Sequence, residues 1–101
     1  MNDAFTQAVA ALIDYGYTAE EDGSLVRYKG GKPRTKWVPV GNTGFLRYER
    51  EDGWVQYPYQ VADKFQGVGG LSPETHRECF DWVYPAEYVL NVYATALAEQ
   101  A

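Results

Sequence analysis

The chain carries one cysteine, Cys79, and one histidine, His76, in 101 residues. A lone cysteine excludes an internal disulfide, and the pair falls short of the four ligands a structural zinc takes. No run of about 20 apolar residues is present, so no membrane-spanning helix is expected. No secretory leader or lipid-anchor pattern is read either, and the expected location is the cytoplasm, with no membrane partner. Bases are missing from residues 1–23, which hold Asp3, Asp14, Glu20, Glu21 and Asp22, and acids are missing from residues 27–36, which hold Arg27, Lys29, Lys32, Arg34 and Lys36. The net charge of −5 disfavours general attraction to nucleic-acid phosphate and favours basic partners.

Apolar side chains are not lacking. At 46% hydrophobic and 16% aromatic, the chain can offset the entropy of ordering, and its length suits a single domain over residues 1–101. Leu25 to Gln60 holds Trp37, Trp54 and four of the nine tyrosines, so the remainder is expected to be arranged around it.

Asp3 reads as an N-cap, Phe5, Ala8, Val9, Leu12 and Ile13 recur at helical spacing, and Gly16 is a left-handed stop, which predicts a helix over 4–15. That stripe is expected to be buried, and Thr6, Gln7, Ala10, Ala11 and Asp14 to face out. Asp22-Gly23 and Asp52-Gly53 are strong two-residue hairpin signals. The first sets Ala19 opposite Val26 and Tyr17 opposite Tyr28. The second sets Arg50 opposite Val55 and Tyr48 opposite Tyr57, so that Leu46, Tyr48, Val55, Tyr57 and Tyr59 become core and the face with Phe45, Arg47 and Trp54 is wet. Gly30-Gly31 and Pro33 are expected to interrupt pairing, Pro39 to mark an edge or bulge, and 41–44 to turn.

Residues 61–71 read as a turn of helix or a loop ending in glycines. Ser72-Pro73 predicts a helix to about Val83, and Pro85 opens a last one to about Glu99. In that last helix Glu87, Asn91, Thr95 and Glu99 form one narrow polar stripe. So apolar a helix predicts burial on most of its circumference, either by the sheet and first helix or across a homodimer interface. The fold class is therefore α+β: an N-terminal helix, a four- to five-stranded antiparallel meander, and C-terminal helices packed on one face of the sheet.

Chemistry-bearing clusters are sparse. Glu74, His76 and Cys79 are the only group with catalytic or metal-ligand residue types, and they lack a third orienting group or a full ligand set. Their ordinary reading is a partly buried cysteine and a surface histidine. Gly67 to Ser72 outlines a phosphate loop but has no Gly-Lys-Ser/Thr ending and no six-residue glycine fingerprint, so it reads as a linker. No catalytic residue, metal or cofactor is assigned, and the protein is expected to act by binding rather than catalysis.

Two binding surfaces compete. The acids Asp14, Glu20, Glu21 and Asp22 suit a protein partner with a basic surface, with Trp54 as an exposed aromatic anchor. The basic hairpin, Arg27, Lys29, Lys32, Arg34 and Lys36 with Trp37 at its exit, suits contact with DNA or RNA. In size, acidity, aromatic richness and want of catalytic motifs, the chain is similar to the small inhibitor proteins that phages and mobile elements direct at host machinery, anti-CRISPR proteins among them. That resemblance is one of bulk properties and attaches to no residue. It implies a non-enzymatic inhibitor that blocks a nucleic-acid-binding surface of a host complex; the alternative is a small nucleic-acid-binding accessory protein using residues 27–37.

Overall fold

The computed structural model describes residues 3–60 and 80–100. Helix α1 spans Ala4–Tyr15. Asp3 is extended, with φ −86 and ψ 172, and its Oδ1 accepts the Thr6 N–H at 2.8 Å. One otherwise unpaired helix donor is thereby satisfied, and the same backbone hydrogen bond holds the Asp3 carboxyl below its ordinary range. Gly16, at φ 130, ends the helix and returns its N–H to the carbonyls of Leu12 and Ile13. The predicted ends are correct, but the buried arc is rotated: Ala8, Ala11 and Leu12 are buried, and Ile13 is 46% exposed. Alanines are inside because α1 packs along the C-terminal helix, where small side chains let two backbones approach.

Five strands follow as an antiparallel meander in chain order: β1 (Thr18–Ala19), β2 (Leu25–Lys29), β3 (Lys32–Val40), β4 (Gly44–Arg50) and β5 (Trp54–Tyr57). Both Asp-Gly hairpins differ from expectation by one residue. Ala19 pairs with Leu25, not Val26, and the Glu20 N–H donates to the Ser24 carbonyl at 2.8 Å, leaving Glu21, Asp22 and Gly23 as the loop. Arg50 pairs with Trp54, not Val55, leaving Glu51, Asp52 and Gly53. A two-residue type I′ turn needs positive φ at both central positions, and among the described residues no residue other than glycine has it. Gly30 and Gly31 do, at φ 62 and 80, and they close β2 onto β3 with Lys29 opposite Lys32.

The stretch expected to interrupt pairing is thus a paired hairpin. Its irregularity is a bulge: Arg27 pairs with Thr35 and Tyr28 with Pro33, which leaves Arg34 as the extra residue. Pro39 lies past Trp37, where pairing with β2 ends, so β3 keeps one strand neighbour there and a missing N–H is tolerated.

A one-residue shift exchanges the faces of a strand. Trp37, Phe45, Arg47 and Tyr57 therefore share the helix-covered face, while Leu46, Tyr48, Trp54 and Gln56 lie on the opposite one. This corrects the predicted core: Phe45 is fully buried and Val55 is 43% exposed.

Short strands β6 (Tyr59–Gln60) and β7 (Phe80–Asp81) pair with each other, and β8 (Val83–Pro85) pairs with β4. Strand β8 takes Gly44 to Leu46 while β5 takes Arg47 to Arg50, so the two divide one edge of β4. The helix predicted to reach Val83 is instead strand at 80–81, a bend at Trp82 and strand again from Val83; its part at 72–79, like the segment 61–71, lies outside the described residues. Aromatic and β-branched residues leading into Pro85 favour a strand, since the residue before proline is pushed from helical angles.

Helix α2 (Ala86–Gln100) starts where the Ala86 N–H donates to the Thr43 carbonyl at 3.1 Å. Ala86 and Val89 are buried, but Tyr88 and Val92 are 42% and 43% exposed, so of the two expected covers the chain's own sheet and first helix leave that side of the helix open. The fold is α+β, with α1 and α2 on one side of the sheet. Between them lies a core of Leu12, Leu25, Trp37, Phe45, Tyr84 and Val89. Phe5 stacks on Phe45 at 5.1 Å and Trp37 meets Tyr84 edge-on at 5.0 Å.

Candidate polyanion-binding surface

The Gly30-Gly31 turn and the loop after Arg50 lie at the same end of the sheet, because Thr35 pairs with Glu49 and Arg50 with Trp54. This brings residues distant in sequence together. A concavity of about 500 Å³ is lined by Lys32, Pro33, Arg34, Arg50 and Glu51. Another, of about 330 Å³, is lined by Arg27, Tyr28, Lys29, Arg34 and Thr35. Arg34, displaced by the bulge, borders both. Four hairpin bases, Arg27, Lys29, Lys32 and Arg34, thus line the two concavities with Arg50, against a single acid among the described residues, Glu51; the fifth hairpin base, Lys36, lines neither.

The six cations have different neighbours. Arg27 lies over the Tyr15 ring at 4.9 Å, which ties it to the helix side. Lys36 lies over Trp54 at 4.5 Å and Tyr48 at 5.2 Å, and Arg50 over Trp54 at 5.6 Å, all on the opposite face of the sheet. Lys29, Lys32 and Arg34 are exposed. Trp54 is partly exposed, as suits the aromatic expected there. Trp37 is not part of this surface: at 2% exposure it is core, and its Nε1 donates to the Tyr93 hydroxyl at 3.2 Å. Arg50 and Tyr48 were missed as surface residues, since the predicted register put Tyr48 in the core.

Two of the acids have hydrogen-bond partners within the fold. Glu20 accepts a hydrogen bond from the Tyr28 hydroxyl, which raises the tyrosine pKa. Asp22 accepts from the Ser24 hydroxyl at 2.6 Å and the Ser24 N–H at 2.9 Å. Its carboxyl is held below the usual range by those bonds, the hydroxyl first, with the Lys36 charge adding to them. Both residues therefore hold the β1–β2 loop. Glu21 and Asp14 are exposed, Asp14 in the last turn of α1.

Arg47 sits on the helix-covered face, 5.5 Å from the Trp37 ring, with Nη2 donating to Glu49 Oε1 at 2.7 Å. Its Nε is buried without an acceptor among the described residues. Glu74, His76 and Cys79, with Gly67 to Ser72, lie outside the described residues. Among the described residues no group of three His, Cys, Asp or Glu side chains is placed to hold a metal ion, and no helix is long and apolar enough to cross a membrane. Comparison with protein-family models, with curated proteins and with solved structures returned no match.

Proposed function

We propose that this protein is a binding module, not an enzyme, that works in the cytoplasm and holds a nucleic-acid strand by its phosphates at the basic end of the sheet. The observation that supports this reading is Arg34, which borders two adjoining concavities whose other bases are Lys32 and Arg50 on one side and Arg27 and Lys29 on the other. Neighbouring phosphates of one strand are a natural fit to cations spaced around a single turn, because guanidinium and ammonium groups position a backbone without reading its sequence. The chain's net charge of −5 opposes such binding at long range, so affinity is expected to be modest and to fall steeply with salt.

The test is fluorescence anisotropy of a labelled oligonucleotide over a salt series. The unmodified protein should bind at low salt, and Lys32→Ala with Arg34→Ala should weaken binding and reduce the salt slope by roughly 0.7–0.9 for each phosphate no longer neutralised. No binding at low salt, or an unchanged slope, would falsify the reading.

A second reading keeps the acidic side as the working surface, in an inhibitor of the anti-CRISPR kind that occupies a basic groove on a host protein. Its support is that Glu21 and Asp14 are exposed while Glu20 and Asp22 serve the fold. Glu21→Lys with Asp14→Lys should then weaken capture of that partner, whereas replacing Lys32 and Arg34 should not.

A further inference from the structure

We propose that the nucleic acid held at this end is single-stranded and that one of its bases stacks on Trp54, on the sheet face away from the helices. The inference rests on the phosphate-binding reading above and adds what that reading leaves open, the form of the nucleic acid. Trp54 and Tyr48 stand on neighbouring strands of this face, Tyr48 directly opposite Gln56 and Trp54 two residues before it. Such diagonal neighbours lie about 7–8 Å apart at Cα, close enough for both rings to serve one extended strand. Trp37, by contrast, is sealed in the core.

Among the described residues, the rings of this face are met by cations. Lys36 Nζ lies 4.5 Å from the Trp54 centroid and 5.2 Å from that of Tyr48, and Arg50 Cζ lies 5.6 Å from Trp54. A base stacks on an aromatic ring more strongly than an exposed ammonium does, so an incoming base displaces Lys36 from Trp54 at a net gain. The freed ammonium is then beside the phosphate that follows that base. Arg50 links this platform to the concavity it lines with Lys32 and Arg34, so the stacking face and the phosphate site are continuous. Gln56 offers an amide that can donate to and accept from a base edge. A duplex cannot use the platform, because its bases are stacked on one another and only its backbone reaches the cations.

Three tryptophans complicate an emission experiment, so the test uses Trp82→Phe protein, in which Trp37 is buried and Trp54 is left to report. A single-stranded oligothymidine and a duplex of equal length are compared at low salt. The expected result is tighter binding of the single strand, with quenching of Trp54 emission. In the same background, Trp54→Ala should weaken single-strand binding about tenfold or more while leaving the duplex affinity and the salt slope unchanged. Trp54→Phe, which keeps a ring, should retain most of the single-strand affinity and controls for loss of fold. Equal affinity for both forms, or a Trp54→Ala protein that binds the single strand as before, overturns the stacking inference while the phosphate-binding reading stands. Failure of both nucleic acids to bind at low salt overturns both.

Discussion

The Trp37 Nε1 donates to the Tyr93 hydroxyl at 3.2 Å, joining the middle of the sheet to α2 by a hydrogen bond inside the aromatic core. Tyr17, at the exit of α1, shares the same hydroxyl at 2.9 Å. Rings reinforce the junction, since Tyr15, Tyr17 and Trp37 meet Tyr93 near edge-on at 5.0, 5.6 and 6.1 Å. Removing that hydroxyl in Tyr93→Phe leaves the indole N–H buried without its acceptor. The expected loss is about 1–3 kcal/mol, measured by urea unfolding, with the packing of the ring retained.

Burial, and after it the Tyr17 hydroxyl, push the Tyr93 pKa well above its ordinary value of 10. A group whose proton is held more tightly in the folded state contributes its full stability below the unfolded pKa and loses it as pH rises above that value. Stability should therefore fall above pH about 10 by roughly 1.4 kcal/mol per pH unit for this group. The same titration of Tyr93→Phe should have a shallower slope. An identical slope would assign the alkaline loss to other tyrosines.

Gly44 faces β8 so closely that a Cβ built there would lie 2.3 Å from the Tyr84 carbonyl oxygen and 2.8 Å from Val83 Cγ1. The oxygen belongs to backbone and cannot swing aside. Gly44→Ala should destabilise the protein by about 1–3 kcal/mol or more, by parting β8 from β4. Hydrogen exchange should show faster exchange at Val83, Tyr84 and their partners than in β2 and β3.

Gly30 and Gly31 set the shape of the basic end through their positive φ angles. Replacing both by alanine puts side chains in a region that costs roughly 1–2 kcal/mol per residue and should weaken polyanion binding along with stability. Gly30→Asn with Gly31 kept should preserve both, since Asn-Gly suits the same turn. Thermal unfolding and oligonucleotide affinity measured on the two variants would separate these outcomes.

What could be read from the chain alone follows from where local chemistry is decisive. Asp3 and Gly16 bound α1 correctly because capping needs only neighbours in sequence, and the turn expected over 41–44 was legible for the same reason, though Gly44 itself opens β4. Register was not. Asp22-Gly23 and Asp52-Gly53 offered the familiar hairpin signal, but aspartate does not take positive φ here, each loop gained a residue, and the faces exchanged. Trp37, expected as a ligand contact because it follows the basic hairpin, is core because it shares the helix-covered face with Phe45. Strand β8 depends on β4, about 40 residues earlier, and β7 on β6, about 20 residues earlier, and no local pattern carries those partners. The basic end was half legible: its five hairpin cations were found, while Arg50 and the platform of Tyr48 and Trp54 required the true pairing of β4 with β5.

The division of one β4 edge between β5 and β8 also sets an order of events in synthesis. Each pairing from β1 to β5 joins consecutive segments and closes over a short loop, so the meander can form as it emerges. Trp37 and Phe45 have no complete cover at that moment, because Tyr84, Ala86, Val89 and Tyr93 have not yet been made. The nascent chain therefore shows an aromatic half-core for the time needed to translate about 40 residues, several seconds at about 5–20 residues per second. That interval, rather than the finished fold, is when this protein is most exposed to aggregation.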